Sequence, residues 1–533
     1  MDLLTYLSDP YIYIPFWVAV ARWGLFFFFK VIPAMLYKQV KVRSVRKLKN
    51  DDPCKVTKRD VTVIVTAYQP EEDFELTLDS IIKQRPAELI IAADKTCFND
   101  PNFEQDCLDL STKRTKVTVL KVMQAGKRAA LADGIKATKT KLVVLADDDI
   151  RWSEDFLAKL IAPFQRYPNM GGVGCKQVGR KSHFFDVLRV MADMRLAVRF
   201  LELMATTRLD KGAACISGRT GAYRTFIIQN EKFYDYFINE KFCGLQVQSG
   251  DDKCLTRYIM NNGYDTYHQL RDSCKLSTSF KNGPDFVRQL LRWSRNTWRS
   301  DLKILFSESV GNPNSIWRKH PFTAFILLDK MITPLYLFFG LFWVIIYALV
   351  TKDYYMFISW AIYLVATRIL KLCYYLWENG IIYIVYIPIF ILFQYFQNLI
   401  KIIALITIKD RSWGTRDIKV VGNEIVRTDE YNARKSNPEI KGPDIANETV
   451  INVDDIVIEL PSTKGPGDLD PPDVTETLEN KQYSKRISMK TASKPRDPNK
   501  PHKHHGHRHE HDRNKARKEI VIDGNNVNVK ITS

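Results

Sequence analysis

Three long apolar segments in the C-terminal half, Phe322–Val350, Tyr354–Trp377 and Ile381–Ile408, constrain this chain more than any other feature. Each is near or above the ~20 residues that cross a bilayer as a helix. A fourth, Ile12–Leu36, carries only Arg22 and Lys30 as charges. One such segment could be a buried core helix; four of this length, three of them clustered, imply a membrane protein. Ile12–Leu36 does not read as a signal peptide, because no basic region precedes it and no small-residue cleavage site follows. The apolar segments enclose a stretch of different character, in which short β-branched runs alternate with helix-length segments. Val61–Thr66, Leu89–Ala93, Val117–Val122 and Leu142–Ala146 read as strands. That alternation predicts right-handed crossovers and a mainly parallel, Rossmann-like α/β sheet.

Ligands of such sheets gather at the carboxyl ends of the strands. Tyr68, Asp94 and Asp147-Asp148-Asp149 all fall there. Alternate carboxylates at a strand end can hold a hard divalent cation through oxygen, and that cation would neutralise a diphosphate. Asp147 and Asp149 are the candidate metal ligands, against the competing reading of a solvated turn. Asp94 could accept from a base or ribose hydroxyl and Tyr68 could stack on a base, although a lone aromatic is more often packing. Gly126-Lys127-Arg128 offers two cations between strands without the Walker A spacing, which argues against a P-loop kinase or ATPase. Gly250-Asp251-Asp252 reads as a tight turn presenting paired carboxylates, whose coupling would raise one pKa and supply a base for an acceptor hydroxyl. An Asp capping the following helix is the alternative.

Arg288, Arg292, Arg295 and Arg299 recur at four, three and four residues, one face of a helix just ahead of the membrane block. Charge at this spacing is usually a solvated face; the position here favours an interfacial or pyrophosphate-facing role. His183–Asp210 has apolar residues at helical spacing with interspersed arginines, and fits a surface helix or one in the membrane interface.

The net charge of +18 includes one dense basic run. Lys38, Lys41, Arg43, Arg46, Lys47 and Lys49 follow the first apolar segment, while Met1–Pro10 has two Asp and no base. The positive-inside rule puts the N-terminus outside and the domain beginning near residue 55 in the cytosol. Anionic lipid is then a nearer partner than nucleic acid. A polar tail from about residue 421, in which acidic and basic side chains balance, is read as largely disordered. Its six histidines between His502 and His511 could bind a transition metal weakly, but a solvated basic tail is the stronger reading. Nine cysteines, an odd count without a CxxC pair, exclude a disulfide framework or zinc site as the organising device.

Taken together the motifs resemble a processive family 2 glycosyltransferase of GT-A fold, in the group of hyaluronan, chitin and cellulose synthases, and most of all the hyaluronan synthase branch. The likeness runs from Val61 to Arg416. Ala67-Tyr68-Gln69-Pro70-Glu71 matches the opening of the nucleotide site, Asp94 the uridine-contacting aspartate, Lys127 the pyrophosphate-side lysine and Asp147-Asp148-Asp149 the DxD motif. Cys215–Arg224 resembles the segment carrying the acceptor-side loop. Gly250-Asp251-Asp252 matches the catalytic-base position, Gln289–Trp293 the QxxRW motif and Trp413–Arg416 the WGTR motif. The resemblance implies Asp252 as base with Asp251 beside it, Arg292 as pyrophosphate clamp and Trp293 as platform under the acceptor sugar, with Gln289 in the same motif. Tyr68, Glu71, Asp94, Lys127, Asp147, Trp413 and Arg416 would contact the nucleotide sugar. Lys253, where arginine is common, and the Arg219-Thr220 pair depart from the branch and leave the donor open.

These readings predict an integral membrane enzyme, most simply of the plasma membrane with a cytosolic catalytic domain. It would use Mn²⁺ or Mg²⁺ and UDP-GlcNAc, UDP-GlcA or UDP-Glc to extend, and translocate, a β-linked extracellular polysaccharide. The alternatives are a non-processive transferase acting on a lipid acceptor and a non-catalytic membrane scaffold or transporter that retains the fold. The expected divisions are a span over 1–37, a basic linker 38–54, the catalytic domain 55–282, QxxRW and interface helices 283–321, membrane or interfacial helices 322–408, the WGTR segment 409–420 and the tail 421–533. Polar and aromatic positions such as Tyr336, Tyr347, Arg368, Tyr374, Gln394 and Asn398 would line a channel, and Arg368 and Lys371 require protein, headgroups or water. The resemblance also sets a topological problem. Trp413 must share the catalytic side, yet three plain crossings between Phe322 and Ile408 put it on the other. Either Ile381–Ile408 bends into a re-entrant or interfacial element, or one apparent span does not cross.

Overall fold

The computed structural model describes residues 21–70, 73–180, 184–279, 283–352 and 354–411, with the strands 418–421, 424–427, 519–523 and 526–530. Residues 1–451 form one compact unit and 452–533 a second. In the first, nine strands among the described residues make a mixed, mainly parallel sheet. They are β1 (Val61–Ala67), β2 (Glu88–Asp94), β3 (Lys116–Val122), β4 (Leu142–Ala146), β5 (Ile150–Trp152), β6 (Met170–Gly179), β7 (Thr220–Arg224), β8 (Asp265–Gln269) and β9 (Lys275–Thr278). The order is β3-β2-β1-β4-β7-β6-β9-β5, with β8 also paired to β6.

The apolar runs become strands because both faces of the sheet are covered. β1 is buried along its whole length, as is β4. Such two-sided burial is what continuous apolar runs in parallel sheets reflect. The four expected strands sit side by side in parallel register, β3-β2-β1-β4, and β7 runs antiparallel against β4. Helices α1 (Asp73–Ile82), α2 (Lys127–Ala137), α3 (Val187–Leu209) and α4 (Asp251–Asn261) cover the sheet or connect it to the membrane helices.

The amphipathic helix α5 (Gly283–Leu302) carries the QxxRW residues and is followed by α6 (Pro321–Thr351), α7 (Tyr355–Asn379) and α8 (Ile387–Ile406), with 3-10 turns over Ile381–Tyr386 ahead of α8. Three of these segments are long and apolar enough to cross a membrane: Pro321–Thr351, Tyr355–Asn379 and Ile381–Ile406. The start of α6 is held to the catalytic domain, where Thr323 N–H donates to Asp210 Oδ2 at 2.8 Å. The end of α7 returns to it, where Lys176 of β6 meets Glu378 at 2.6 Å. These two helices therefore form an out-and-back pair.

Helix α8 packs against α5. At its start Tyr386 Oη donates to Phe184 O, and Ile387 and Phe390 pack in one cluster with Phe286 and Leu290 of α5. Near its end Trp298 Nε1 donates to Lys401 O at 2.8 Å, Arg295 Nε to Thr407 Oγ1 at 3.0 Å and Arg299 Nε to Ile408 O at 2.9 Å. Both ends of α8 are thus tied down, and the helix lies along α5. Pro388 sits in its first turn, where a missing N–H costs nothing. Asp410, paired with Arg295 at 2.7 Å, leaves the chain on the catalytic side three residues before Trp413.

The arginine stripe is divided by this docking. Arg295 and Arg299 are buried and hold the end of α8, and Arg288 pairs with Asp285 at the surface. Only Arg292 faces the site. Of the N-terminal span, residues 1–20 lie outside the described residues. From Arg22 the chain is helical to Met35, with a π-turn at Phe27–Val31. The expected helix over His183–Asp210 is α3, which packs between the sheet and the membrane helices; His183 lies outside the described residues.

Candidate active site

Strand β4 ends at Ala146, and its pairing with β7 fixes the backbone of the next residues. Asp147 N–H donates to Arg219 O at 3.1 Å, directly beyond the Ala146–Thr220 register. On the other side Arg180 Nη2 donates to Asp149 O at 2.8 Å, and Thr77 Oγ1 is 3.0 Å from Asp148 O. The three aspartates therefore stand on a backbone held from both sides.

Lys127, the first residue of α2, reaches across to them. Its Nζ lies 2.6 Å from Asp147 Oδ1 and 3.2 Å from Asp251 Oδ2. Gly250 puts the second carboxylate pair in place. Its φ of +83° is open to glycine at little cost, and a Cβ there would meet Asn296 at 3.2 Å. Asp251 and Asp252 then open α4. Asp252 Oδ1 accepts from Lys253 N–H at 2.8 Å, while Oδ2 accepts from the Cys215 thiol at 3.1 Å and from Gly218 N–H at 3.3 Å.

The electrostatics separate these carboxylates. Burial pushes the Asp149 carboxyl up, and neighbouring Asp147 adds to the shift. Burial alone would also push Asp251 up, but Lys127 and Arg128 outweigh it and hold the carboxyl below the usual carboxylate range. The expected rise within the Asp251–Asp252 pair is therefore not found at Asp251, because it has its own ammonium. Asp252 makes no ion pair among the described residues. Burial and a low dielectric also keep the Cys215 thiol protonated and able to donate.

Trp293 of α5 faces the same space with two guanidinium groups near its ring, Arg195 at 5.5 Å and Arg219 at 5.7 Å. Tyr68, Lys127, Asp147, Asp149, Asp251, Asp252, Gln289, Arg292 and Trp293 all line one cavity of about 850 Å³. The Gln289 side-chain oxygen is buried there without a partner among the described residues. Asp94, an expected contributor, and Arg128, the neighbour of Lys127, are placed elsewhere. Asp94 is buried at the end of β2 and caps the next turn by accepting from Thr96 N–H at 3.0 Å, away from the cavity lining. Arg128 is fully buried and braces the Gly250 turn, donating to Gln248 O at 2.9 Å and pairing with Glu240 at 2.6 Å. Glu71, Trp413 and Arg416 lie outside the described residues.

The cavity continues from the aspartates past Trp293 and between the membrane helices. Arg368, Gln394 and Asn398 line it as expected; Tyr336, Tyr347 and Tyr374 do not. Arg22 stacks on Tyr336 at 4.7 Å, and Tyr374 turns to Glu378. Reasoning from sequence missed Cys215, Arg195, Glu202, Asp329, Lys330 and Lys401. The legible signal was charge inside apolar segments, at Asp329, Lys330 and Lys401.

The family described as glycosyltransferase like family 2 matches residues 58–296, which contain β1 to β9 and the QxxRW residues. A type 2 glycosyltransferase of Gibberella zeae is 31% identical over 368 residues, 68% of this chain and 69% of that relative. The chain belongs to the type 2 glycosyltransferases. A type 2 glycosyltransferase of Zymoseptoria tritici is 30% identical over 67% of this glycosyltransferase and 76% of its own length. Hyaluronan synthase 3 of Homo sapiens is 25% identical over 56% of this chain and 51% of the synthase. The fungal type 2 enzymes are thus nearer than the hyaluronan synthases to which the motifs pointed. A mannosyltransferase of Pyrobaculum calidifontis, solved in complex with GDP-Man and Mn²⁺, shares the GT-A fold. Its TM-score is 0.51 at 16% identity, over 76% of this chain and all of that one. The protein is a membrane glycosyltransferase of GT-A fold.

The metal expectation is testable on the donor set. Among the described residues no group of three or more His, Cys, Asp and Glu side chains is arranged to hold an ion. Asp147 and Asp149 nonetheless fit a divalent cation that takes its remaining oxygens from a diphosphate. They are hard ligands on alternate positions, and the Asp149 carboxyl is strained by burial beside a like charge.

Proposed function

We propose that this glycosyltransferase takes a UDP-sugar and extends a β-linked polysaccharide that leaves through the membrane helices. The observation that carries the reading is the single cavity joining Asp147 and Asp252 to the membrane helices by way of Trp293. Asp147 and Asp149 would hold Mn²⁺ or Mg²⁺, which when bound neutralises the diphosphate. Lys127 and Arg292 supply protein charge to the same diphosphate, and Tyr68 packs on the base. Asp252 takes the proton of the acceptor hydroxyl, with its carboxylate aimed by Cys215, Gly218 and the Lys253 amide. A single direct displacement inverts the anomeric centre. Charge placed in advance around the departing UDP lowers the barrier without reorganisation during the reaction.

The acceptor sugar rests on Trp293. The enzyme would work in the plasma membrane with its catalytic domain in the cytosol, since the basic run from Lys38 to Lys49 follows the N-terminal span. The test supplies purified full-length protein with UDP-GlcNAc, UDP-GlcA and UDP-Glc, singly and in pairs, with Mn²⁺. Release of UDP with a size-heterogeneous saccharide is expected, and chelation should abolish it. One sugar on an extracted lipid would instead establish the lipid-acceptor enzyme; no release from any sugar nucleotide would leave a non-catalytic scaffold.

A further inference from the structure

Behind the Gly250 turn lies a buried ion cluster whose members stand outside the lining of the cavity. Its centre is Glu240, just beyond a short helix over Glu231–Ile238. Both carboxylate oxygens are taken. Oε2 accepts from Arg128 Nη2 at 2.6 Å, while Oε1 accepts from Arg257 Nη2 and, at 3.0 Å, from Lys303 Nζ. Glu240, Arg128 and Arg257 are all buried. Burial would push the Glu240 carboxyl up, but Arg257, Arg128 and Lys303 outweigh it and hold it below the usual carboxylate range.

Each of these cations belongs to an element that carries residues of the site. Arg128 follows Lys127 at the head of α2. Arg257 stands in α4, which Asp251 and Asp252 open. Lys303 begins the π-helical turn that continues α5, the helix of Gln289, Arg292 and Trp293. Further bonds tie the same elements crosswise. Arg128 donates to Ser249 O at 3.2 Å, just ahead of Gly250, and Ser249 Oγ lies 2.7 Å from Asn296 Oδ1 of α5. Arg257 Nη1 donates to Ser300 Oγ of α5 at 2.8 Å. A second carboxylate, Glu308, pairs with Arg257 at 3.2 Å and Lys303 at 3.5 Å, but it makes no pair with Arg128 among the described residues.

We propose that Glu240 is a positioning residue, whose two oxygens set the spacing between Lys127 on the donor side, the Asp252 base and the Trp293 platform. The inference rests on the transferase reading above and deepens it. A buried ion cluster seldom repays its desolvation in stability, so its use here is the single arrangement it imposes on three elements. An amide in place of the carboxylate has one acceptor oxygen. It could face Arg128 or the Arg257 and Lys303 side, but not both. The donor groups Asp147 and Asp149 keep their hold on the sheet through β4 and β7, so the loss falls on the alignment of donor with base.

The test uses full-length protein in nanodiscs, with calorimetry of UDP and Mn²⁺ binding beside initial rates of UDP release. Glu240→Gln should bind UDP nearly as the parent does and lose about 10²-fold in kcat, the cost of a misplacement of roughly 1 Å between reacting groups. Glu308→Gln removes the same charge from the same cluster without touching Arg128, and its kcat should stay close to that of the parent. Glu240→Asp keeps the charge on a shorter arm and should recover part of the rate. Should the amide variant fail to fold, Glu240→Asp decides, since its kcat should still fall well below that of Glu308→Gln. A parent-like kcat in Glu240→Gln, equal losses in Glu240→Gln and Glu308→Gln, or a loss confined to UDP affinity would each overturn the assignment. Amide hydrogen exchange adds a readout without turnover. Glu240→Gln should speed exchange over 248–252 and 289–293 together, whereas Glu308→Gln should leave 248–252 as in the parent. A parent that releases UDP from no sugar nucleotide removes the transferase reading alone; unchanged exchange in Glu240→Gln removes the positioning role.

Discussion

The catalytic end of the cavity and its membrane end are both built from charge, but the charge is matched differently. At one end Asp147, Asp148, Asp149, Asp251 and Asp252 share the lining with Lys127, Arg195, Arg199, Arg219 and Arg292. At the other, six cations meet two carboxylates. Buried charge without a protein partner is expensive, so both ends depend on the pairs that cross between elements. The two ends also differ in how they were reached: the carboxylates follow from strand ends, the cations from helices far apart in sequence.

The largest effect should come at the catalytic end, from Asp252→Asn. The substitution keeps the size and much of the hydrogen-bonding shape of the side chain but removes its proton acceptor. Transfer should fall by about 10³-fold while donor affinity is nearly unchanged, because the lost interaction belongs to the transition state. Calorimetry of UDP-sugar binding beside initial rates of UDP release reads both. A tenfold loss of donor affinity with turnover retained at saturation would make Asp252 a donor contact and Asp251 the base.

Next in size is the metal. Asp147→Ala or Asp149→Ala should remove ~3 kcal/mol of transition-state stabilisation, on the scale of a lost major electrostatic partner. Mn²⁺-dependent UDP binding should weaken sharply with the fold intact. An unchanged titration in the double variant would move the cation elsewhere and leave the acidic end of the cavity without its explanation.

Why one end was legible and the other was not comes down to distance along the chain. β1, β2, β3 and β4 are apolar runs closed by turn residues, and their carboxyl ends locate Asp147–Asp149 by a rule of parallel sheets. Gly250 announces its turn locally. Nothing local distinguishes Lys127, which faces the cavity, from Arg128, which is buried against Glu240. Nor does anything local show that Asp94 spends its side chain on Thr96 N–H. The docking of α8 rests on pairs such as Trp298 with Lys401, 103 residues apart, which hydropathy alone does not reveal. The charge at the membrane end is a still more distributed feature, assembled from Arg22, Lys330, Lys371 and Lys401 on separate helices.

At the membrane end the paired part of the charge can be broken without touching the chemistry. Glu202→Gln would leave Lys30 and Lys330 without their shared carboxylate, and a broken buried pair costs about 3 kcal/mol even at the low end of its usual range. The expected outcome is a lower midpoint of thermal unfolding in nanodiscs, with donor affinity retained. A midpoint like that of the parent would mean that water in the cavity already solvates these cations, which would sharpen the contrast with the tightly held carboxylates.

The smallest effect concerns a group that the fold keeps neutral inside the sheet. His268 of β8 is buried against Gly174, where a Cβ would meet its ring at 2.6 Å, so no larger residue fits opposite it. Burial, with Arg199 nearby adding to it, brings its pKa down to about 3. The unfolded chain titrates near 6.5, so below that pH the unfolded state takes up a proton that the folded state refuses. The sign is therefore fixed: this contribution to stability is complete above pH ~6.5 and is lost as pH falls from there towards the folded value, by about 2 kcal/mol at pH 5. The measurement is the unfolding midpoint of the parent and of His268→Gln from pH 7 to pH 5. The variant starts lower, because it has lost a well-packed ring, but its midpoint should fall less steeply over that interval. Parallel slopes would mean that His268 accepts its proton inside the folded protein. The region beside Arg199 would then tolerate one more cation.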